Sequence, residues 1–475
     1  MIRAVSDRPE VRVVAGKLRG TRESGVAVFR GIPFAEPPVG ELRFGPPEKA
    51  KPWDGVREAA EFGAPPPQAG AFGMDALAEA GDDWLTVNVW SPEPGPDARL
   101  PVMVWIQGGA YGIGTSGLPE YDGVRLASDG VVVVTFNYRV GIEGFAQLEG
   151  APANRGLLDQ VAALEWVRDN IRAFGGDPDR VTVFGQSAGG GSVASLLVMP
   201  RAEGLFRRAI AQSVPGTFFA PELAADIAGA FAGELGLRPT VDDLSTVDPK
   251  TLPSAGDAVT AKIKQWAGSW GQAAHRSIPF APVVDGDVLP TTPWRKTRDV
   301  EIIAGHTRDE QRLFSVIEDG SAELEFLAPD PRRYRESFPG AGPEELRELV
   351  NSDWLFRMPT LHLANTGRTY LYELTWSGLL GACHGLDVPL VFGNLRSGQP
   401  AMLIEDVAAA EAVSADMRAA WIAFATHGDP GWPAYEPEKR LTRIFDTPST
   451  IATYPEETSR LLWQDHSFEP LPLLY

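Results

Sequence analysis

Cysteine is almost absent: Cys383 is the only one in 475 residues, so no intrachain disulfide can form and an oxidising destination is not implied. No apolar run approaches the roughly 20 residues of a membrane-crossing helix, and the opening Met1-Ile-Arg-Ala-Val-Ser-Asp-Arg8 lacks the hydrophobic core of a secretory signal. A cytoplasmic setting is the expectation. Positive charge is short, with 43 Lys and Arg against 63 Asp and Glu and a formal net charge of −20. Nucleic acid and anionic membrane surfaces are disfavoured as partners by such a field. Histidine is scarce too, at six residues, which shortens any search for a general base. No internal repeat, low-complexity tract or composition shift marks a linker.

What is present suits a large core: 44% of residues are hydrophobic, including 13 Trp and 22 Phe. Residues 1–10 read as a loose tail and 11–475 as a single domain. Val11 to Val14 and Val26 to Phe29 read as strands of a small antiparallel sheet. Phe29 to Phe44 is too rich in Pro and Gly for a helix or a central strand. It is expected to be an ordered surface crossing that buries Ile32, Phe34, Val39, Leu42 and Phe44.

From Leu85 the texture is that of a parallel sheet buried on both faces, with continuous apolar strands at Leu85 to Trp90, Val102 to Ile106, Val131 to Phe136 and Val181 to Phe184. The clearest helix between them, about Asn154 to Phe174, carries Leu157, Leu158, Val161, Leu164, Val167 and Ile171 on one face. Further strands are expected at Val300 to Ala304 and Arg368 to Trp376, and a last helix at about Ala408 to His427. About 215–274 is helical in pattern, with Thr217 to Ala220 as candidate pocket lining. Alternation of β and α implies a doubly wound α/β sheet, with ligands at the carboxyl ends of its strands.

Gly185-Gln186-Ser187-Ala188-Gly189 stands at such an end, directly after Val181 to Phe184 and before a run of small residues that reads as a helix. The pattern G-x-S-x-G alone is weak in a chain with 50 glycines, but strand, serine, helix is the order of a nucleophile elbow. A serine hydroxyl then needs a base, and the base needs an acid to fix its tautomer. Among His275, His306, His362, His384, His427 and His466, His384 is favoured, with His306 the runner-up. Gly381-Ala-Cys-His-Gly-Leu-Asp387 sets His384 on a glycine-flanked loop after a strand. His427 ends a helix as a dipole partner, and His362 reads as a core residue. Asp309 and Glu310, after the strand Val300 to Ala304, are the candidate acids, and the pattern does not choose between them. Gln107-Gly-Gly-Ala-Tyr-Gly112, after Val102 to Ile106, suits an oxyanion hole, where backbone N–H groups meet developing negative charge.

These motifs give the chain its resemblance to the type-B carboxylesterases, a family of α/β-hydrolases. It also rests on Phe29-Arg-Gly-Ile-Pro-Phe-Ala-Glu-Pro-Pro-Val-Gly40, Leu85 to Val89 with Asn88, Asn137-Tyr-Arg-Val-Gly141, Leu158-Asp-Gln160 and Asn170-Ile-Arg-Ala-Phe-Gly-Gly-Asp-Pro178. Phe206-Arg-Arg-Ala-Ile210, Pro282-Val-Val-Asp-Gly286, His384-Gly385 and Trp421 to Gly428 complete it. The resemblance implies the α/β-hydrolase fold, with a large, mostly parallel central sheet flanked by helices and a small N-terminal antiparallel part. It implies Ser187 as nucleophile, His384 as base, Glu310 rather than Asp309 as the acid, and Gly109, Ala110 and Ala188 as oxyanion-hole donors, with no metal or cofactor. The expected partner is a small-molecule ester, the expected form a monomer or weak homo-oligomer.

Departures qualify the transfer. Gln186 stands where relatives commonly have Glu, which removes a negative charge from the gorge. Pro67 and Trp84 stand about where secreted relatives place a cysteine pair, and the loop Gln68 to Asp83 contains no Trp for a choline site. Uncharged esters are therefore expected as substrates. Gln107 replaces a frequent His or aromatic, and Asp387 a frequent Glu; neither is expected to touch the triad. The alternatives are an amide or carbamate substrate on the same triad, and a non-catalytic binding module, which the three filled triad positions oppose.

Overall fold

The computed structural model describes residues 8–68, 81–295, 299–317 and 322–475. In chain order its strands are β1 (Glu10–Val13), β2 (Gly16–Arg19), β3 (Thr21–Glu23), β4 (Val26–Pro33), β5 (Val56–Glu58), β6 (Thr86–Ser91), β7 (Leu100–Ile106), β8 (Val132–Phe136), β9 (Gly176–Gln186), β10 (Arg208–Gln212), β11 (Glu301–Thr307), β12 (Thr369–Leu374), β13 (Leu441–Phe445) and β14 (Thr450–Thr453). Among the described residues eleven form one sheet, in the order β14-β13-β12-β11-β10-β9-β7-β8-β6-β4-β3, and β1-β2-β5 form a small one. From β8 through β13 every pairing is parallel.

Two sequence expectations fail here. Val26 to Phe29 is not in the small sheet; it opens β4, which pairs with β3 and β6 in the large one. β4 runs on to Pro33 across a register break between Phe29 and Ile32, so the Pro- and Gly-rich stretch begins as strand and becomes a crossing only afterwards. The break absorbs what a regular ladder would not tolerate from Gly31. Second, β6 is antiparallel to both β4 and β8. Its six residues are all buried, and a continuous apolar run reports burial on both faces, not direction. Of the expected tail, residues 1–7 lie outside the described residues, while Arg8 already donates to the Gly20 carbonyl at 3.1 Å and to Glu58.

The faces of the sheet are covered by the two helices the sequence marked most clearly. Leu157, Val161 and Leu164 of Arg155–Asn170 pack with Val181 and Val183 on one face. Val413, Met417, Trp421 and Phe424 of Val407–His427 pack with Trp105 and Phe184 on the other. Each large apolar side chain so buried contributes about 1.5–3 kcal/mol. Val407–His427 starts where the Asp406 side chain accepts from the N–H groups of Ala408 and Ala409, and stops at Gly428, whose φ is 79°.

The stretch 215–274 is helical in the main, with Pro221–Glu234 and Leu252–Ala261 as its longest pieces. Thr217 to Ala220 is extended instead and tied by backbone bonds to Pro282, Val284 and Leu471. Among the described residues no helix is long and apolar enough to cross a membrane.

Candidate active site

Ser187 stands between β9 and the helix Ala188–Leu196 with φ 59° and ψ −127°, a conformation that a side-chain-bearing residue rarely adopts. Such strain costs about 1–3 kcal/mol and must be held by its surroundings. The Ser187 N–H donates to the Gln212 carbonyl at 2.9 Å, and its carbonyl accepts from the Gly191 N–H at 2.9 Å. Glycine is required beside it, because a Cβ at Gly189 would lie 2.0 Å from the Ile106 carbonyl oxygen. Ser187 is left half-buried at the carboxyl end of β9.

The strand β11 ends at Thr307, and the turn after it sends its two acids in different directions. Asp309 turns to Arg308 and Arg312 and accepts from the Ala382 N–H at 2.9 Å, while its own N–H donates to the Ala382 carbonyl at 2.8 Å. Asp309 thereby fastens the loop that carries His384. Glu310, fully buried, accepts from His384 Nδ1 at 2.5 Å through Oε2, and from Ser213 Oγ at 2.6 Å and the Thr307 N–H at 2.9 Å through Oε1. Burial alone would raise its pKa, but the His384 imidazole and the Ser213 hydroxyl outweigh it and hold the carboxyl below its ordinary value.

An ionised carboxylate only accepts, so the proton of a neutral His384 is on Nδ1 and the lone pair is on Nε2. Gln186 Nε2 donates to that lone pair at 3.1 Å. The Phe356 ring stacks on the imidazole at 4.2 Å between centroids and Phe314 lies 5.1 Å away, which fixes the ring plane.

The loop Gln107 to Gly112 follows β7 as a tight turn, with the N–H groups of Gly112 and Ile113 both donating to the Gly109 carbonyl at 3.0 Å. Gly109, Ala110 and Tyr111 have φ of 117°, 51° and 59°. Asn137 to Gly141 braces the turn from below: Tyr138 Oη donates to the Gln107 carbonyl at 2.7 Å, and the Gly141 N–H to the Tyr111 carbonyl at 2.7 Å. The turn lies against the serine, since a Cβ at Gly108 would be 3.1 Å from Ser187 Cβ. Ala188 opens its helix, so its N–H has no intrahelical partner.

His306 is separated from this arrangement. Its Nε2 pairs with Tyr454 Oη at 3.0 Å and its Nδ1 with the Thr307 carbonyl at 3.1 Å. Burial, then the Arg357 charge, pushes its pKa down to about 4. His362 is half-buried against Phe468, also pushed to about 4 by burial, and His427 closes its helix at the surface.

Sequence reasoning missed Ser213, a polar residue directly after β10 whose place at a strand end was the available signal. It also missed the support around Asp387, which accepts from Gln212 Nε2 at 2.7 Å and Tyr372 Oη at 3.1 Å. Burial pushes the Asp387 carboxyl up to about 6. Its bonds go to Gln212 and Tyr372 and not to Ser187, Glu310 or His384. Most of the loop Gln68 to Asp83, read as lacking a choline site, lies outside the described residues.

The geometry agrees with the comparisons. Residues 7–330 match the profile of the carboxylesterase family. The para-nitrobenzyl esterase of Bacillus subtilis (strain 168) is 38% identical over 94% of this chain and 96% of its own. The fumonisin B1 esterase of Sphingopyxis macrogoltabida is 34% identical over 92% and 86%. The crystal structure of a carboxylesterase from Geobacillus stearothermophilus superposes with a TM-score of 0.83 at 34% identity, covering 96% of this chain and all of that one. An α/β-hydrolase fold, a serine on a strained elbow and near full-length relatives coincide, and the chain belongs to the carboxylesterase family as a hydrolase of carboxylic esters.

Proposed function

We propose that ester hydrolysis proceeds through an acyl-enzyme on Ser187, with His384 as base and Glu310 as the carboxylate that orients it. Ser187 Oγ attacks the ester carbonyl carbon while its proton passes to the Nε2 lone pair of His384. Glu310 accepts the hydrogen bond of the Nδ1–H, which stays on the imidazole, and offsets the imidazolium charge. Negative charge moves to the carbonyl oxygen, which the N–H groups of Gly109, Ala110 and Ala188 receive. Collapse breaks the bond to the alcohol oxygen, which takes the proton from Nε2. Water then repeats the sequence on the acyl-enzyme, releasing the acid and restoring Ser187. No step needs a metal or cofactor.

The observation that carries this reading is the 2.5 Å contact of His384 Nδ1 with a fully buried Glu310, opposite a serine at φ 59°. A fluorophosphonate probe tests it. Labelling of the wild type, with Ser187→Ala unlabelled, is the expected result; labelling of both removes Ser187 from the role.

Uncharged esters are the proposed substrates, because the residue before the serine is the neutral Gln186 and one relative is named for para-nitrobenzyl esters. The comparisons favour esters over the amide reading. The same reading takes 11–475 as one working domain, with 215–274 bordering the substrate. It also places the protein in the cytoplasm as a monomer or weak homo-oligomer, in keeping with one buried cysteine and a net charge of −20.

A further inference from the structure

The nitrogen of His384 that must take the serine proton is already engaged. Glu310 accepts the hydrogen bond of the Nδ1–H, so Nε2 carries the lone pair, and the group directed at it is the side-chain amide of Gln186 at 3.1 Å. Ser187 Oγ is not among the hydrogen-bond partners of His384. Because Nε2 accepts, the amide must present its NH2 and not its oxygen, which settles its orientation chemically. Gln186 is the last residue of β9 and 6% exposed, so its backbone is fixed beside the elbow while its side-chain amide can still rotate.

We propose that Gln186 is a positioning residue that caps the proton-accepting nitrogen of His384 in the resting enzyme and holds the base neutral until the serine proton arrives. The proposal rests on the assignment of His384 as base. A donor bonded to a neutral lone pair must be released when that nitrogen takes a proton, so the contact opposes protonation from solvent. During acylation the proton goes from Ser187 Oγ to Nε2, and the Gln186 amide must turn away or rotate its oxygen toward the new N–H.

The other groups around His384 do not duplicate this. Glu310, from the turn after β11, holds Nδ1. Asp387, on the helix Asp387–Phe392, and Asp309, fastened to Ala382, face the same loop as charges, and His306 lies beyond Glu310. The helix Gln311–Ile317 and the segment Asp353–Arg357 present the rings of Phe314 and Phe356 to the imidazole. Every one of these remains in a Gln186 variant.

The test is the acid limb of kcat/KM on a neutral aryl ester for the wild type, Gln186→Met and Gln186→Glu, each normalised by fluorophosphonate titration of active sites, with Ser187→Ala alongside. Met keeps the length and removes the donor, and Glu keeps the shape but adds a charge that favours the imidazolium. The expected limb moves to higher pH by about half a unit to one unit in Gln186→Met, the worth of one neutral hydrogen bond, and further in Gln186→Glu. Superimposed limbs, or a Met limb at lower pH than the wild type, overturn the proposal while leaving the triad intact. A wild type with no acid limb, or an active Ser187→Ala, overturns the triad assignment and this proposal with it. If Gln186→Met does not fold, Gln186→Leu, which also removes the donor without adding a charge, takes its place with the same expected shift.

Discussion

His384 and His306 are the instructive pair. His306 lies within β11 and His384 on the loop after β12 of the same sheet, both are almost wholly buried, and both make two hydrogen bonds through their ring nitrogens. The difference is in the partners. His384 faces an ionised carboxylate on one nitrogen and an amide that can move on the other, beside a strained serine. His306 is closed in by a backbone carbonyl and a buried phenol, with Arg357 adding to the cost of a positive charge. Imidazole becomes a base when a fixed anion can receive the charge it acquires; without one, burial makes it a neutral spacer.

The largest expected effect breaks the pair directly. His384→Ala should lower kcat/KM by about 10⁴-fold or more, whereas His306→Gln should stay within about tenfold of the wild type on the same ester. A comparable loss in both would erase the distinction.

The two neighbouring acids extend the comparison. Glu310→Gln, which leaves the shape and loses the charge on Nδ1, should cost about 10³- to 10⁴-fold in kcat/KM. Asp309→Asn should cost less than about tenfold and instead lower Tm, because Asp309 fastens the 382 loop through Ala382 and two arginines. Steady-state kinetics and thermal melts on both variants check this.

A third expectation concerns stability against pH. His306 has a folded pKa depressed to about 4 from an unfolded value near 6.5, so its contribution is complete above pH 6.5 and is lost as pH falls through 4. The loss is about 2 kcal/mol by pH 5 and about 3 kcal/mol in full. His306→Gln should therefore show a smaller drop in Tm between pH 7 and pH 5 than the wild type; equal drops would mean that His306 does not stay neutral.

The smallest effect is in selectivity. Gln186→Glu places a negative charge beside the base and should raise the cationic-to-neutral ester ratio of kcat/KM a few-fold, about the worth of one partly screened charge. An unchanged ratio would separate Gln186 from substrate charge preference.

The elbow was legible in the sequence because local chemistry makes it: Gly189 must lack a Cβ where Ile106 crosses it, and a strand of β-branched residues must precede it. The helices over the sheet were legible through their periodicity; the Asp406 cap of the second one was not. The acid was not legible from pattern, since Asp309 and Glu310 are adjacent and of one type. Only the turn after β11 decides that one side chain reaches His384, 74 positions away, and the other reaches Ala382. The direction of β6 and the partner of β4 were likewise hidden, because strand pairing is a relation between distant segments.

By itself the sequence determined which groups were available: one serine on a glycine-flanked elbow, few histidines, a glycine turn after a strand, and a neutral residue where relatives carry a charge. Tertiary structure alone decided which of them meet. It put the carboxylate on Nδ1 and the Gln186 amide on Nε2, because hydrogen bonds act over about 3 Å while the residues that make them are separated by as many as 198 positions of chain.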